Sequence, residues 1–301
     1  MHVVITGGAG FIGSHIADAL VERGWRVTII DDLSTGRHEN VSSSATLIER
    51  DLRDESMSQL IAELQPDVVS HHAAQMDIRK SVADPAFDAD VNVVASVRLL
   101  QACVDAKVKR FVFASSGGSI YGEPDYTPQD EDHPTHPMSP YGCAKLAVEQ
   151  YIAYFHEAHG LSCVSLRYAN VYGPRQNPRG EAGVVAIFGD RMRRGEPVTI
   201  NGDGDQTRDY VHVSDVVAAN LAVIDDMTLG GAFNVGTGVE TSVNELHREI
   251  ARVISTQSPL QHGPAKLGEQ MRSVLDARKL RRATTLREPM SLREGLKHTL
   301  V

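Results

Sequence analysis

The sequence predicts an α/β fold, a doubly wound parallel sheet with a smaller, discontinuous C-terminal α/β lobe. Three observations carry that expectation. Short apolar, β-branched runs alternate with amphipathic stretches through the first 165 residues, which calls for parallel strands joined by crossover helices. A glycine run, Gly7-Gly8-Ala9-Gly10-Phe11-Ile12-Gly13, separates the first such run from the first amphipathic stretch. After Tyr168 the rhythm breaks into short elements, opening with a stretch rich in Gly, Pro, Arg and Asn.

The first strand is expected over 2–6, where Val3-Val4-Ile5 is apolar and β-branched. The first helix follows over 11–23, with Ile12, Ile16, Ala19 and Leu20 at helical spacing. Further strands are expected over 26–31, 45–49, 67–72, 110–115 and 162–167, and helices over 54–64, 90–106 and 141–158. Pro66, Pro85 and Gly160 punctuate them. Asn170 to Gly183 reads as loop. Beyond it come a helix over 184–194, a strand from Arg208 to Val213, and helices from Asp215 to Ile224, near 242–254 and near 291–299. The expected division places 1–167 plus about 208–232 in the sheet domain, and about 168–207 plus 233–301 in the second lobe, with a cleft between them.

Of the 301 residues, 42% are hydrophobic, enough for a sizeable core. A total of 39 acidic against 30 basic side chains gives a net charge of −9, which argues against a nucleic-acid partner. An anionic small molecule stays open, because a local arginine cluster can reverse the field in a cleft. No apolar run approaches the roughly 18 residues of a membrane span. With a strand at the start, no secretory leader is expected. Cys103, Cys143 and Cys163 are widely spaced, with no CxxC or zinc-type pattern, and suit small buried hydrophobes in a reducing, cytoplasmic compartment. His71-His72 at a strand end is read as packing, so no metal is expected.

The glycine run joins a strand to a helix, as a dinucleotide site requires. Gly7, Gly10 and Gly13 permit the tight turn and the close approach of a pyrophosphate, and the helix start at Phe11 and Ile12 supplies N–H donors and partial positive charge. The second strand ends in Asp31-Asp32, roughly 20 residues past the glycines, where a carboxylate accepts the adenosine ribose hydroxyls. A carboxylate there repels a 2′-phosphate, so NAD is the expected cofactor rather than NADP. Arg37 contests this, but it lies six residues further on. The sheet is therefore expected to be of Rossmann type.

Downstream, Ser139-Pro140 precedes Tyr141-Gly142-Cys143-Ala144-Lys145. Serine caps a helix and proline suits its first turn, which places Tyr141 and Lys145 on one face. A phenol near its ordinary pKa of about 10 is a poor base at neutral pH. A cation about 5 Å away, at an effective dielectric near 20, favours the phenolate by roughly 3 kcal/mol, or about two pKa units. The pair can then serve as a base poised near neutrality. That spacing alone is common; its place after a dinucleotide fold and the serine-rich strand end Ser115-Ser116 gives it meaning.

Taken with further stretches, the chain resembles the extended short-chain dehydrogenase/reductase family, specifically nucleotide-sugar 4-epimerases of the UDP-glucose 4-epimerase type. The matching stretches are Thr6 to Ser14, Asp31 to Gly36, His72-Ala73-Ala74-Gln75, Ser139-Pro140-Tyr141, Asn170-Val171-Tyr172-Gly173-Pro174-Arg175 and Arg208-Asp209-Tyr210-Val211-His212-Val213. The resemblance covers nearly the whole chain. It implies C4 epimerisation of a UDP-sugar through a 4-keto intermediate, with transient hydride transfer to tightly held NAD and Tyr141 moving the proton. It further implies that Ser34, Gly36, Asp51, Leu52, Ala73, Ala74, Asn92, Ser115 and Tyr168 join the cofactor site, and that Lys145 also holds the nicotinamide ribose. Asn170, Arg175 and Arg208 are implied for the nucleotide diphosphate, in keeping with the arginine fork's fit to phosphate oxygens. Lys266 is implied for the diphosphate as well and Glu269 for the uridine ribose, and Val185 and Ser273 for the rest of the substrate. A homodimer through helices 90–106 and 141–158 is implied as well.

Two departures stand out. Gly117 occupies the position where the family usually carries a Ser or Thr that bridges the sugar 4-OH and the phenolate, which leaves Ser116, preferred, or Ser119 to supply the hydroxyl. Lys266-Leu267-Gly268-Glu269 stands where the family has Arg-Pro-Gly-Asp; charge is kept, but lysine lacks the bidentate fork. Ser273 replaces a large tyrosine that excludes N-acetyl sugars, so a roomy pocket is expected. The alternatives are another activity on UDP-sugars (a UDP-glucuronate 4-epimerase, a dehydratase or a decarboxylase) or a non-catalytic NAD-sensing protein. Dehydratases of the family carry an Asp-Glu pair where Gly118-Ser119 stand here, and the sensing proteins lose the Tyr/Lys pair.

Overall fold

The computed structural model describes residues 1–178, 183–256, 258–265 and 270–301. Its strands are β1 His2–Thr6, β2 Arg26–Asp31, β3 Thr46–Glu49, β4 Val68–His71, β5 Arg110–Ser116, β6 Cys163–Tyr168, β7 Asn170–Tyr172, β8 Val198–Asn201, β9 Thr207–His212, β10 Gly231–Val235, β11 Glu240–Ser242 and β12 Leu260–Gly263. Seven of them form one parallel sheet in the order β10-β6-β5-β4-β1-β2-β3. The winding reverses between β1 and β4, and Val3 of β1 registers with Val27 on one side and Val68 on the other.

Side chains alternate across this sheet as a period of two demands. Val3 and Ile5 enter one apolar cluster and Val4 the other. Helices Phe11–Glu22 and Val213–Asp225 cover the first face, through Ile16, Leu20, Val216 and Val223. Helices Met57–Leu64, Ala95–Asp105 and Pro140–His159 cover the second, through Ile61, Leu99, Val148 and Ile152. Both faces being buried, the strands read as near-continuous apolar runs.

The smaller lobe is built from the sheets β11-β9-β7 and β12-β8. Helices Val184–Arg193, Val243–Val253 and Leu292–Leu300 close over them around Tyr172, Phe188, Leu246, Ile250 and Leu296. Ser242 and Glu245 form a reciprocal capping box at the start of the second of these helices.

The strands and helices expected up to residue 167 are present, the helix expected from 54 starting at Met57. The helix expected over 90–106 opens as a π-helical turn, Asp90–Val94, before becoming regular. Besides the short strands β8, β11 and β12 and a helix at Arg278–Ala283, three findings go beyond the sequence reading. β7 lies within a stretch read as loop. Two short helices, Ile78–Ala83 and Pro85–Ala89, fill a gap where no element was expected. β10 adds a seventh strand to the large sheet, Gly231–Val235, parallel to β6.

Candidate active site

The carboxyl ends of β1 and β4 meet where the winding reverses, the crevice in which open α/β sheets bind ligands. Gly7 ends β1 with φ of +69°, and a Cβ there would lie 2.5 Å from the Ala73 backbone nitrogen; only glycine lets the loop press this closely on the segment Ala73-Ala74. A Cβ on Gly13 would strike the Gly7 carbonyl. Gly10 is the N-cap of helix Phe11–Glu22, with no side chain closing the helix end and no acid in the first turn. The first-turn N–H groups, Phe11 and Ile12 included, thus face outward for an anion. This cradle fits a pyrophosphate.

Asp31 does more than end β2. Its Oδ2 accepts the Ala9 N–H at 2.9 Å and its Oδ1 the Leu33 N–H at 2.9 Å, and a Cβ on Gly36 would lie 2.6 Å from Oδ1. Burial pushes its carboxyl above the usual range, opposed by those two N–H donors. Asp32 is exposed and holds Ser34 through its N–H and hydroxyl. Asp51 is forked by Arg53, which draws its carboxyl down, and Leu52 is buried beside it.

Helix Pro140–His159 starts as the sequence predicts, with Ser139 Oγ accepting the Gly142 N–H. A second acceptor comes from elsewhere: the buried Ser81 Oγ takes the Tyr141 N–H at 2.7 Å. Lys145 Nζ lies 5.6 Å from the centre of the Tyr141 ring and donates to the Ala114 carbonyl at 2.8 Å. Burial brings Lys145 down to about 8, against the pull of Asp88 and then Glu149. Lys145 is therefore a buried cation beside a half-buried phenol.

The serines divide. Ser115 donates to Glu149 Oε1 at 2.5 Å, and Glu149 pairs with Arg167 at 2.7 Å in a buried network running on to Tyr121 and Asn234. Ser116, half-buried at the N-cap of the turn Gly117–Ile120, makes no capping bond. Ser119 sits half-buried within that turn. A Cβ on Gly117 would run into Leu275 Cδ1, whereas one on Gly118 would meet only Asn170 Oδ1, at 3.6 Å.

Other expected residues support the site at one remove. Asn92, in the π-helical turn, spends both ends of its amide on the Gln75 backbone at 2.8 Å each. Tyr168 is buried, accepts from Asn220 at 2.8 Å and stacks on His72. His71 bonds Thr6 and Ser96, 2.7 and 2.8 Å away. Among the described residues no cluster of His, Cys, Asp or Glu could hold a metal.

On the facing lobe, Asn170 registers with Tyr210 in β9. Arg208 is half-buried on β9 and donates to the Thr207 carbonyl. Arg175, at φ +67°, is turned onto the glycine-loop helix, donating to Ser14 Oγ at 3.1 Å and pairing with Asp18 at 2.6 Å. His15 of that helix donates to the Pro174 carbonyl at 3.0 Å. Val185 is buried in the lobe's core and Ser273 is also buried. Lys266 and Glu269 lie outside the described residues. Sequence reasoning missed Ser81, Asp88, Glu149 and Asp209. Asp209 is buried and accepts from the N–H groups of Thr237, Gly238 and Leu275. Only its place in the stretch Arg208 to Val213 hinted at a role. A cavity of about 580 Å³ between helix Val213–Asp225 and the segment 277–294 includes none of the expected site residues.

The family model described as NAD dependent epimerase/dehydratase family matches residues 3–236. The chain belongs to this family. Its similarity to individual epimerases extends end to end. It is 44% identical over 305 residues to UDP-glucose 4-epimerase of Mycolicibacterium smegmatis, covering 100% of this chain and 97% of that one. The structure of UDP-glucose 4-epimerase from Thermotoga maritima with UDP-glucose matches with a TM-score of 0.95 and 44% identity, over 100% of this chain and 97% of that chain. The Thermus thermophilus UDP-glucose 4-epimerase complex with NAD matches with a TM-score of 0.95 and 42% identity, over 100% and 98%. The cofactor of this epimerase-family chain is NAD, and the cradle at Gly7–Gly13 suits it.

Proposed function

We propose that the enzyme inverts C4 of a UDP-hexose, interconverting UDP-glucose and UDP-galactose through a 4-keto sugar. The observation that carries this reading is the buried Lys145 ammonium beside Tyr141 at a cradle built for a dinucleotide, in a chain matched end to end by UDP-glucose 4-epimerases. NAD held at the Gly7–Gly13 cradle would supply the reversible hydride acceptor that inversion at C4 requires. The protein's residues handle the rest. Lys145 favours the phenolate of Tyr141, which takes the 4-OH proton and later gives it back. Ser116, whose hydroxyl has no cap to serve, holds the 4-oxygen against the phenolate. Asn170 and Arg208, with Lys266 and Glu269, hold the nucleotide; Arg175 joins them only by leaving Ser14 and Asp18. In this division of labour the seven-stranded sheet carries NAD and the smaller lobe carries the UDP-sugar.

Proton NMR of the purified protein with UDP-galactose and no added NAD tests the reading. Formation of UDP-glucose is expected; no conversion, even with added NAD, would overturn it. The small side chain of Ser273 favours a second reading, in which UDP-GlcNAc is also turned over. The same assay decides it, rejection of the N-acetyl sugar sinking the wider range. The exposed Tyr151 and Tyr154 on helix Pro140–His159 favour a homodimer, and a monomer mass by light scattering would exclude it. The three free thiols suit a cytoplasmic setting, checked by locating a tagged copy in fractionated cells. Among the described residues no helix is long and apolar enough to cross a membrane.

A further inference from the structure

We propose that Asp88 is a positioning residue for the Tyr141–Lys145 pair, a buried carboxylate on a helix packed against the one that carries both. The proposal deepens, and rests on, the epimerase reading.

Asp88 lies on helix Pro85–Ala89, which packs against helix Pro140–His159. It is 1% exposed. Its Oδ1 accepts from Gln75 Nε2 at 3.1 Å, while Oδ2 is buried with no hydrogen-bond partner. A buried carboxylate served by one neutral donor is costly unless an opposite charge offsets it. The neighbouring acids have other duties: Asp84 caps the Phe87 N–H, and Asp90 lies 3.6 Å from Arg53.

Lys145 poses the complementary problem. It is a buried cation whose polar bond is to a neutral carbonyl, that of Ala114. The charged and titratable groups around it are Tyr141 and Glu149 on its own helix, His71 at the end of β4 and His72 just beyond it, Asp88 from helix Pro85–Ala89, and Arg167 of β6 behind Glu149. Burial holds both histidines neutral. Glu149 is already matched by Arg167 at 2.7 Å. That leaves Asp88, its Oδ2 buried without a partner, as the carboxylate in this group without a cation of its own. Through Gln75 the same carboxylate is tied to the segment that Asn92 clamps, so the charge is held in place from two sides.

The test is Asp88→Asn, which keeps an oxygen for Gln75 and removes the charge. The active form needs Tyr141 as phenolate and Lys145 as ammonium. Losing the negative charge lowers the pKa of both, so both limbs of the pH–rate profile move to lower pH. The alkaline limb is expected to move down by about one unit, which lowers kcat several-fold on that limb while kcat on the acid limb holds or rises. The 13Cε resonance of Lys145, assigned by its loss in Lys145→Met, should titrate lower by the same amount; this readout is independent of turnover. Asp88→Glu, which keeps the charge, should leave the limb in place. If Asp88→Asn does not fold, Asp88→Ser carries the same expectation. An alkaline limb and a lysine titration unmoved in a folded, active variant would overturn the proposal. An inactive wild-type protein would instead overturn the epimerase reading.

Discussion

At Gly117 packing leaves no room for a side chain. The space a Cβ would need is taken by Leu275, itself fully buried. Extra atoms in a packed core cost about 1–3 kcal/mol. Gly117→Ser should therefore lower the melting temperature by several degrees, at about 2–4 °C per kcal/mol for a chain of this class or somewhat larger. Combining it with Leu275→Ala should return part of that loss, because the second change opens the space the first requires. Thermal melts of the two single variants and the double variant form a closed cycle. Losses that simply add would show that Leu275 is not what excludes the serine. The juxtaposition of Tyr141 and Lys145 was legible at this scale, since the two are close in sequence and fixed by helix geometry. Asp88 and Leu275 were not, because what they touch comes from segments far away in the chain.

Among the elements, the end of helix Val213–Asp225 shows how a strand residue can govern a helix. Arg110, at the start of β5 and fully buried, donates to the carbonyls of Val223, Asp226 and Leu229 and to Ser162 Oγ. A cation at a helix C-terminus satisfies carbonyls that no N–H can reach. Arg110→Met should cost about 3 kcal/mol, since it leaves several buried acceptors unpaired. Urea unfolding measures this; a midpoint within error of wild type would mean that water replaces the guanidinium. The sequence pattern could place β5 but not this contact. The same limit explains β7 and β10. β7 has three residues and exists by pairing with β9, and β10, Gly-Ala-Phe-Asn-Val, is held at the sheet edge by β6. Three residues carry too little periodicity to read, and β10, no shorter than β3 or β4, is broken up by Gly, Ala and Asn, whereas the long helices and the first six strands carry enough signal.

For the molecule as a whole, buried imidazoles set the acid limit of stability. Burial, aided by Lys145, holds His72 down to about 3, and burial, aided by His298, holds His212 down to about 4. His71 is also held well below its ordinary value by burial. These groups are neutral in the folded chain and take up protons on unfolding. Their contribution is complete above the ordinary imidazole value of about 6.5 and is lost as pH falls toward 4 and below. The urea midpoint should be flat from pH 7 to 8 with respect to these groups and lower at pH 5. A midpoint at pH 5 equal to that at pH 7 would show that the histidines become solvated before they charge. The two lobes meet at one more place, where Arg175 and the Pro174 carbonyl fasten onto Asp18, Ser14 and His15 of the glycine-loop helix. A clasp made on the cradle's own helix would tie release of a bound dinucleotide to the parting of the 174–175 segment from that helix. A coenzyme retained behind it would be insulated from the redox balance of the surroundings, the ratio of oxidised to reduced coenzyme outside having no hold on the rate.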